Sequence, residues 1–283
     1  MATNSLKQAE QPSHLVQDTQ IAEHAPSELR GKVAKDPSTA VVIVAGGSGE
    51  RFLTTGGKQL HQILGKPVLT WSAEAFDAVA EVGQIVIVAP VDRMDEYYRE
   101  AIEGFPFVTP ITMAASGTIR QESSFAGLSA IEESFEFIAI HDGARPLVTP
   151  ELIERLITMM KGDLEIDGAV VGYPAIDTLK LVNDRYILGT PDRSLLWAVQ
   201  TPQIFRAPMI REAHVTALSE GFVGTDDSSL VERLDGRVIL VQGPRDNIKL
   251  TVPEDRLVIE VALTQRLQAE AAPLQSDQSV EKN

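Results

Sequence analysis

The chain has 283 residues, 43% of them hydrophobic, enough to bury a sizeable core in one large domain or two small ones. A net charge of −15 argues against general affinity for nucleic acid or an anionic membrane, and the lack of cysteine excludes a disulfide framework or a thiolate metal site. No stretch approaches the ~20 apolar residues of a membrane span, and the five histidines (His14, His24, His61, His141, His214) show no metal-ligand spacing.

Residues 1 to about 38 are polar and aperiodic, with neither the basic start nor the apolar run of a secretory signal. Glu10, Asp18, Glu23, Glu28 and Asp36 are too many acids for a transit peptide, so a disordered tail is expected, and a second one over 270–283. That leaves 39–269 as the folded domain. A cytoplasmic location is expected, or a plastid-type organelle if the source is eukaryotic.

The first predicted strand is "AVVIVA" (40–45), which runs into "VAGGSGERFLTTGGKQL" (44–60). A helix follows over 68–80, a strand over 84–90, a helix over 120–133, a strand at "FIAIHD" (137–142) and a helix over 150–162. Further strands are expected at "GAVVGYP" (168–174) and "RVILVQG" (237–243), and a last helix over 253–268; the helices at 150 and 253 open on Pro-Glu, a favourable first turn. Val/Ile runs that are apolar on both faces, alternating with helices, predict an α/β fold with a doubly wound, mostly parallel, Rossmann-like sheet. Residues 177–192, "DTLKLVNDRYILGTPD", alternate apolar and polar around Asn183-Asp184, the pattern of a β-hairpin. A hairpin here has little to pack on in its own subunit, so an arm over about 175–195 and a homodimer are expected.

In such a sheet ligands sit beyond the carboxyl ends of the strands. Five glycines with Arg51 and Lys58 after the first strand offer bare backbone N–H groups and charge to a polyphosphate. Two phosphate-loop signatures fail, because Lys58 is followed by Gln59, and Phe52 occupies the glycine position in both patterns. A lone glycine loop of this kind reads more simply as a flexible loop with solvated cations.

The blocks "AGGSGERF…GKQL…LGKPVLTWSAEAF", "GTIRQESSFAGL" (117–128), "IHDGARPLV" (140–148), "PAIDTLK" (174–180), "LWAVQTPQIF" (196–205), "TDDSSLVE" (225–232) and "DNIKLTVPED" (246–255) together resemble one family. The chain is similar to the pyrophosphorylase-type nucleotidyltransferases, and among them to the 2-C-methyl-D-erythritol 4-phosphate cytidylyltransferase family of the non-mevalonate isoprenoid pathway. The resemblance covers residues 40 to 268 and implies a nucleotide-diphospho-sugar transferase-like fold. It also implies transfer of a cytidylyl group from CTP to a polyol phosphate, with no protein nucleophile. By resemblance Arg51, Lys58 and Lys249 are catalytic, with Lys249 placing the acceptor phosphate. Ala45, Gly46, Gly47, Gly49, Gly117, Arg120, Ser123 and Asp142 bind the nucleotide; Arg145, Asp177, Thr178, Thr201 and Asp226 serve the acceptor. Mg2+ is the expected ion, near Asp142, because triphosphate and carboxylate are hard oxygen ligands.

On the residues alone, Arg120, Glu122 and Ser123 read more simply as a polar helix start, while a turn cap competes for Asp142 and a solvent-facing place on an edge strand for Lys249. Two departures from the family pattern stand out. Gly57 replaces the usual proline before Lys58, with Leu60 in place of a common aromatic. Ile176 stands where a cation is common on the arm, and Lys180 or Arg185 are the candidates to replace it. Two other readings therefore stay open: a cytidylyltransferase for another polyol phosphate such as ribitol 5-phosphate, and a non-catalytic nucleotide-binding homologue. The presence of Arg51, Lys58, Asp142 and Lys249 argues against the second.

Overall fold

The computed structural model of the chain describes residues 37–47 and 57–271. The tail expectations for 1–36 and 272–283, and the roles expected of Gly49 and Arg51, lie outside the described residues.

In chain order the elements are β1 (Thr39–Val44), β2 (Gln62–Ile63), β3 (Lys66–Pro67), α1 (Val68–Asp77), β4 (Val82–Ala89), α2 (Met94–Ala101), β5 (Ile111–Ala115), α3 (Arg120–Ser129) and β6 (Phe137–Asp142). There follow α4 (Pro150–Gly162), β7 (Gly168–Pro174), β8 (Leu181–Asn183), β9 (Tyr186–Gly189), β10 (Trp197–Arg206), α5 (Ala207–Glu220), α6 (Ser228–Glu232), β11 (Val238–Gln242) and α7 (Asp255–Ala271). The central sheet has seven strands in the order β11-β7-β10-β6-β1-β4-β5. All neighbours pair in parallel except β10, which is antiparallel to both β6 and β7. The expected α/β sheet is therefore present.

Alternation along β1 explains the two layers of helices. Val41 and Ile43 face a core shared with α1, α2 and α4, including Phe76, Tyr97 and Leu156. Ala40 and Val42 face the opposite core, made with α3, α5 and α6. Each fully buried aliphatic side chain stabilises the fold by on the order of 2 kcal/mol, so a strand apolar on both faces is held from both sides. α7 joins a third, smaller cluster, in which Ile259 and Leu263 meet Ile63, Ala144 and Leu250. None of the described helices is long and apolar enough to cross a membrane.

Several boundaries differ from expectation for local reasons. α4 starts as predicted, with Thr149 Oγ1 accepting from Leu152 N at 3.3 Å and Pro150 in the first turn. α7 begins at Asp255, after Pro253 and Glu254, because Asp255 Oδ2 accepts from the N–H groups of Thr251 (2.7 Å) and Val252 (2.9 Å). α3 stops at Ser129 instead of 133, where the Gln84 side chain donates to Ala130 O and accepts from Glu132 N. "NIKLTV" forms no strand: residues 247–251 are a loop pinned by Leu250 N donating to Ala144 O at 2.8 Å. The hairpin forms, but its two-residue turn is Asp184-Arg185, one place beyond the expected centre, with Asn183 paired to Tyr186 and Asp184 at φ +52°. Its apolar side chains are bare: Leu181, Val182, Tyr186, Ile187 and Leu188 are each at least 58% exposed.

Candidate active site

The sheet order reverses at β1, which lies between β4 and β6, so the crevice beyond the ends of β1 and β6 is where a ligand is expected. Gly46 and Gly47 follow β1, Asp142 ends β6, and Gly117 precedes α3. Gly46 is required by packing, because a Cβ there would stand 2.2 Å from Ser116 Cβ. The same is true of Gly117, whose Cβ would lie 2.2 Å from Glu122 Cβ. Gly47 is different. Among the described residues a Cβ on it would meet nothing nearer than Gln59 Nε2 at 3.7 Å, so their packing does not explain that glycine.

The start of α3 divides its polar residues between two tasks. Glu122 Oε2 accepts from Thr118 N (2.7 Å), Thr118 Oγ1 (2.6 Å) and Ile119 N (3.4 Å), satisfying donors that the helix leaves unpaired. Ser123 Oγ accepts from Gly117 N at 3.2 Å and donates to Ile119 O at 3.1 Å. Both therefore build the helix start, and Ser123 in addition lines a cavity. Arg120 turns elsewhere. Its Nε donates to Asp142 Oδ1 at 3.2 Å and its Nη1 to Asp227 Oδ2 at 2.6 Å.

Asp142 is the hub. Its Oδ2 accepts from Lys249 Nζ at 2.8 Å and lies 3.6 Å from Arg145 Nε, while Oδ1 meets Arg120. Burial alone would push this carboxyl up, but the Arg120, Lys249 and Arg145 charges outweigh burial and hold it well below the usual carboxylate range. Lys249 is thus a partner of the site and not a lysine on an edge strand.

The backbone under Asp142 is set by a buried hydrogen-bond chain. Thr201 Oγ1 accepts from Asp142 N at 3.0 Å and lies 3.1 Å from His141 Nδ1, and His141 Nε2 lies 3.2 Å from Arg145 O. Since a carbonyl only accepts, Nε2 carries the proton and the Thr201 hydroxyl donates to Nδ1. Burial pushes the His141 pKa down to about 3, despite the nearby Asp142 charge. Asn247 completes the frame: its Nδ2 donates to Thr201 O (2.9 Å) and Gln200 Oε1 (3.3 Å), and its carbonyl accepts from Arg145 Nη1 (2.8 Å). Neither His141 nor Asn247 was singled out from sequence; each stands one or two places from a residue that was.

Two cavities flank this hub. One, of about 440 Å3, is lined by Gly46, Gly47, Lys58, Gly117, Ser123 and Ala144, among others. The other, of about 510 Å3, is lined by Arg145, Trp197, Thr201, Thr225, Asp226 and Ser229, among others. Arg120, Asp142 and Lys249 line both, forming a shared wall. Of the sequence-predicted residues, Ala45 is buried and lines neither cavity, and Asp177 and Thr178 on the arm line neither. Asp226 borders the second cavity, but its carboxylate accepts from Gln203 Nε2 (2.7 Å), Ser228 Oγ (3.0 Å) and Ser229 N (3.0 Å). On the arm, Ile176 is half-exposed and its carbonyl accepts from Arg193 Nη1; Lys180 Nζ donates to Thr190 Oγ1 at 2.7 Å, and Arg185 lies over the Tyr186 ring.

The sequence profile of the family described as IspD, 2-C-methyl-D-erythritol 4-phosphate cytidylyltransferase, matches residues 39–265. The chain belongs to this family. It is 43% identical over 227 residues to the 2-C-methyl-D-erythritol 4-phosphate cytidylyltransferase of Caldanaerobacter subterraneus subsp. tengcongensis, covering 80% of this chain and 99% of that one. It is 41% identical to the enzyme of the same name from Bacillus licheniformis, over 79% of this chain and 94% of the relative. Among solved structures, 4-diphosphocytidyl-2C-methyl-D-erythritol synthase from Anaerococcus prevotii superposes with a TM-score of 0.70 at 28% identity, covering 81% of this chain and 99% of that one. The span matched to the cytidylyltransferase family begins at the first residue of β1 and ends within α7.

As a metal site the crevice offers little protein. Among the described residues no group of three His, Cys, Asp or Glu side chains could hold an ion, and Asp142 is the one carboxylate lining the first cavity. That suits an ion that takes one carboxylate and draws its other ligands from substrate phosphates and water.

Proposed function

We propose that the chain transfers the cytidylyl group of CTP to the phosphate of 2-C-methyl-D-erythritol 4-phosphate, giving 4-diphosphocytidyl-2-C-methyl-D-erythritol and pyrophosphate. The observation that carries this reading is the wall of Arg120, Asp142 and Lys249 shared by two cavities. A reaction that joins two phosphate-bearing substrates needs two adjoining chambers with charge where they meet, and this wall meets that need.

In this reading CTP occupies the first cavity, with its phosphates against Gly46, Gly47 and Lys58 and its base beside Gly117 and Ser123. The acceptor occupies the second, its phosphate drawn by Lys249 and Arg145. An oxygen of the acceptor phosphate attacks the α-phosphorus of CTP in line, a new P–O bond forms, and the bond to the β-phosphate oxygen breaks to release pyrophosphate. Negative charge spreads over the oxygens of the transferring phosphoryl group, and ammonium and guanidinium groups already held in place stabilise it without reorganising. Arg51 belongs to the same reading by family resemblance. A divalent cation, Mg2+ by the hardness of its ligands, would be held by Asp142 together with phosphate oxygens and would neutralise triphosphate charge. The bare apolar side chains of β8 and β9 support a homodimer formed through the arm.

Pyrophosphate release from CTP, measured against a panel of polyol phosphates, tests the proposal. Turnover is expected with 2-C-methyl-D-erythritol 4-phosphate at a kcat/KM at least a hundredfold above ribitol 5-phosphate. A preference for ribitol 5-phosphate would overturn the acceptor assignment. Tight CTP binding with no turnover on any acceptor would overturn the reaction.

A further inference from the structure

Two aspartates stand side by side at the head of α6, and their carboxylates do different things. Asp226 takes the capping role, accepting from Ser229 N at 3.0 Å as well as from Ser228 and Gln203. Asp227 occupies the N-cap position itself yet makes no side-chain cap bond. Its side chain, 1% exposed, turns inward: Oδ2 accepts from Arg120 Nη1 at 2.6 Å, and Oδ1 accepts from His214 Nε2 at 3.2 Å. His214, from α5, is equally buried and stacks on Phe125 with ring centroids 6.1 Å apart.

A carboxylate taken so far out of water is costly, and its own helix does not use it. What it holds is Arg120. That side chain spans Asp227 and Asp142 with different nitrogens, which sets the guanidinium plane, and Arg120 lines both cavities. Burial works against the Asp227 charge, but Arg120 and the His214 hydrogen bond outweigh it and keep the carboxyl below its ordinary value. Without Asp227, Arg120 would retain Asp142 as its one carboxylate partner and would be free to turn about that contact.

We propose that Asp227, backed by His214, is a positioning residue for cytidylyl transfer, fixing the Arg120 guanidinium in the wall between the two substrates. The proposal rests on the reading of the two cavities given above. It gives the second aspartate of "TDD" a role of its own beside the acceptor role expected of the first, Asp226, which lines the second cavity.

The test is a double-mutant cycle between Asp227→Asn and Arg120→Ala, read both as kcat/KM for pyrophosphate release and as the Kd of CTP by calorimetry. Asp227→Asn is expected to lower kcat/KM tenfold or more in the native background and less than twofold beside Arg120→Ala. Equal losses in the two backgrounds would show that Asp227 acts on the fold at large and would overturn the proposal. His214→Gln, which leaves both aspartates in place, is expected to cost threefold or more in the native background and nothing beside Arg120→Ala. It decides the matter in the same way should Asp227→Asn not fold. A native chain that binds CTP but turns over no acceptor would remove the proposed reaction, while the CTP-binding cycle would still decide the positioning role.

Discussion

The wall between the cavities and the β8–β9 hairpin lie in one chain but differ in where their partners come from. At the wall, Asp142 meets Arg120, Lys249 and Arg145, and Arg120 meets Asp227, all within the chain. On the hairpin, Leu181, Val182, Ile187 and Leu188 lie largely in water, and its strands pair with each other alone among the described residues. The difference teaches that the site's charges are organised before any ligand arrives, whereas the arm leaves its apolar side chains uncovered within the chain. Charge stabilisation works best when donors need not move, so a prebuilt wall suits the proposed transfer.

The sharpest way to break the wall is to remove its hub. Asp142→Asn would leave Lys249 and Arg145 facing each other without the carboxylate between them, and Arg120 with Asp227 as its remaining carboxylate among the described residues. Breaking a buried ion pair by removing one partner typically costs about 3–5 kcal/mol. Denaturant unfolding should show a loss of that order; a change below about 1 kcal/mol would mean that the three cations rearrange cheaply and the wall is not rigid.

Removing one donor should spare the fold and strike the reaction. Lys249→Ala takes away the ammonium at Asp142 Oδ2, and the loss of one preorganised donor typically lowers kcat by roughly 10^2–10^3-fold. Pyrophosphate release checks it, with circular dichroism confirming an unchanged fold. A fall in KM affinity alone, with kcat intact, would place Lys249 in binding rather than in the transfer step.

A pH series sharpens the same contrast from beneath the wall. His141 has a folded pKa depressed to about 3, so the unfolded chain binds a proton that the folded chain refuses. Its contribution is fully present above the ordinary histidine value and is lost as pH falls from about 6.5 towards 3. Stability should therefore decline by about 1.4 kcal/mol per pH unit below pH 6 on this account, before carboxylates add their share near pH 4. His141→Asn should flatten that slope between pH 6 and 4.5; an unchanged slope would mean that another group refuses the proton.

How much of this could be read in advance follows the same division. β1, β4, β6 and β7 stand out as aliphatic runs, because both faces of a central strand are buried by helices. β10 was quoted only as a motif, since Gln200, Thr201, Pro202 and Gln203 in its middle look unlike a strand. Those polar side chains are buried and are satisfied by Asn247, His141, Asp142 and Asp226, which lie far away in the chain. Arg120, Asp142 and Lys249 were each visible through family blocks, but their contacts join positions 22 and 107 apart, and no local pattern encodes that. Asp227 was passed over because the block's resemblance pointed to its neighbour Asp226, and the contact of Asp227 with Arg120 joins positions 107 apart.

Glycines give a smaller and more local test. Gly46→Ala forces a Cβ to within 2.2 Å of Ser116 Cβ and should cost about 1–3 kcal/mol, as overpacking does. Gly47→Ala meets no such obstacle among the described residues, so its thermal midpoint should stay close to native while CTP binding weakens several-fold. If Gly47→Ala binds CTP as tightly as the native chain, the backbone there does not approach the triphosphate.

The arm should respond least within one subunit and most between subunits. Ile187 and Val182 face solvent at 63% and 60% exposure, so Ile187→Asp and Val182→Asp remove almost no contact inside the chain. Surface changes of this kind usually stay within about 0.5 kcal/mol. If a second copy covers the arm, however, burying an unpaired carboxylate at that surface is costly, and the dimer should give way to monomer in sedimentation velocity. The monomer's melting curve should then match the native chain at high dilution, because the seven-stranded sheet and its two cores do not include the hairpin. A native chain that sediments as a monomer at every concentration would break the comparison at its other end, leaving the apolar hairpin to some other covering surface.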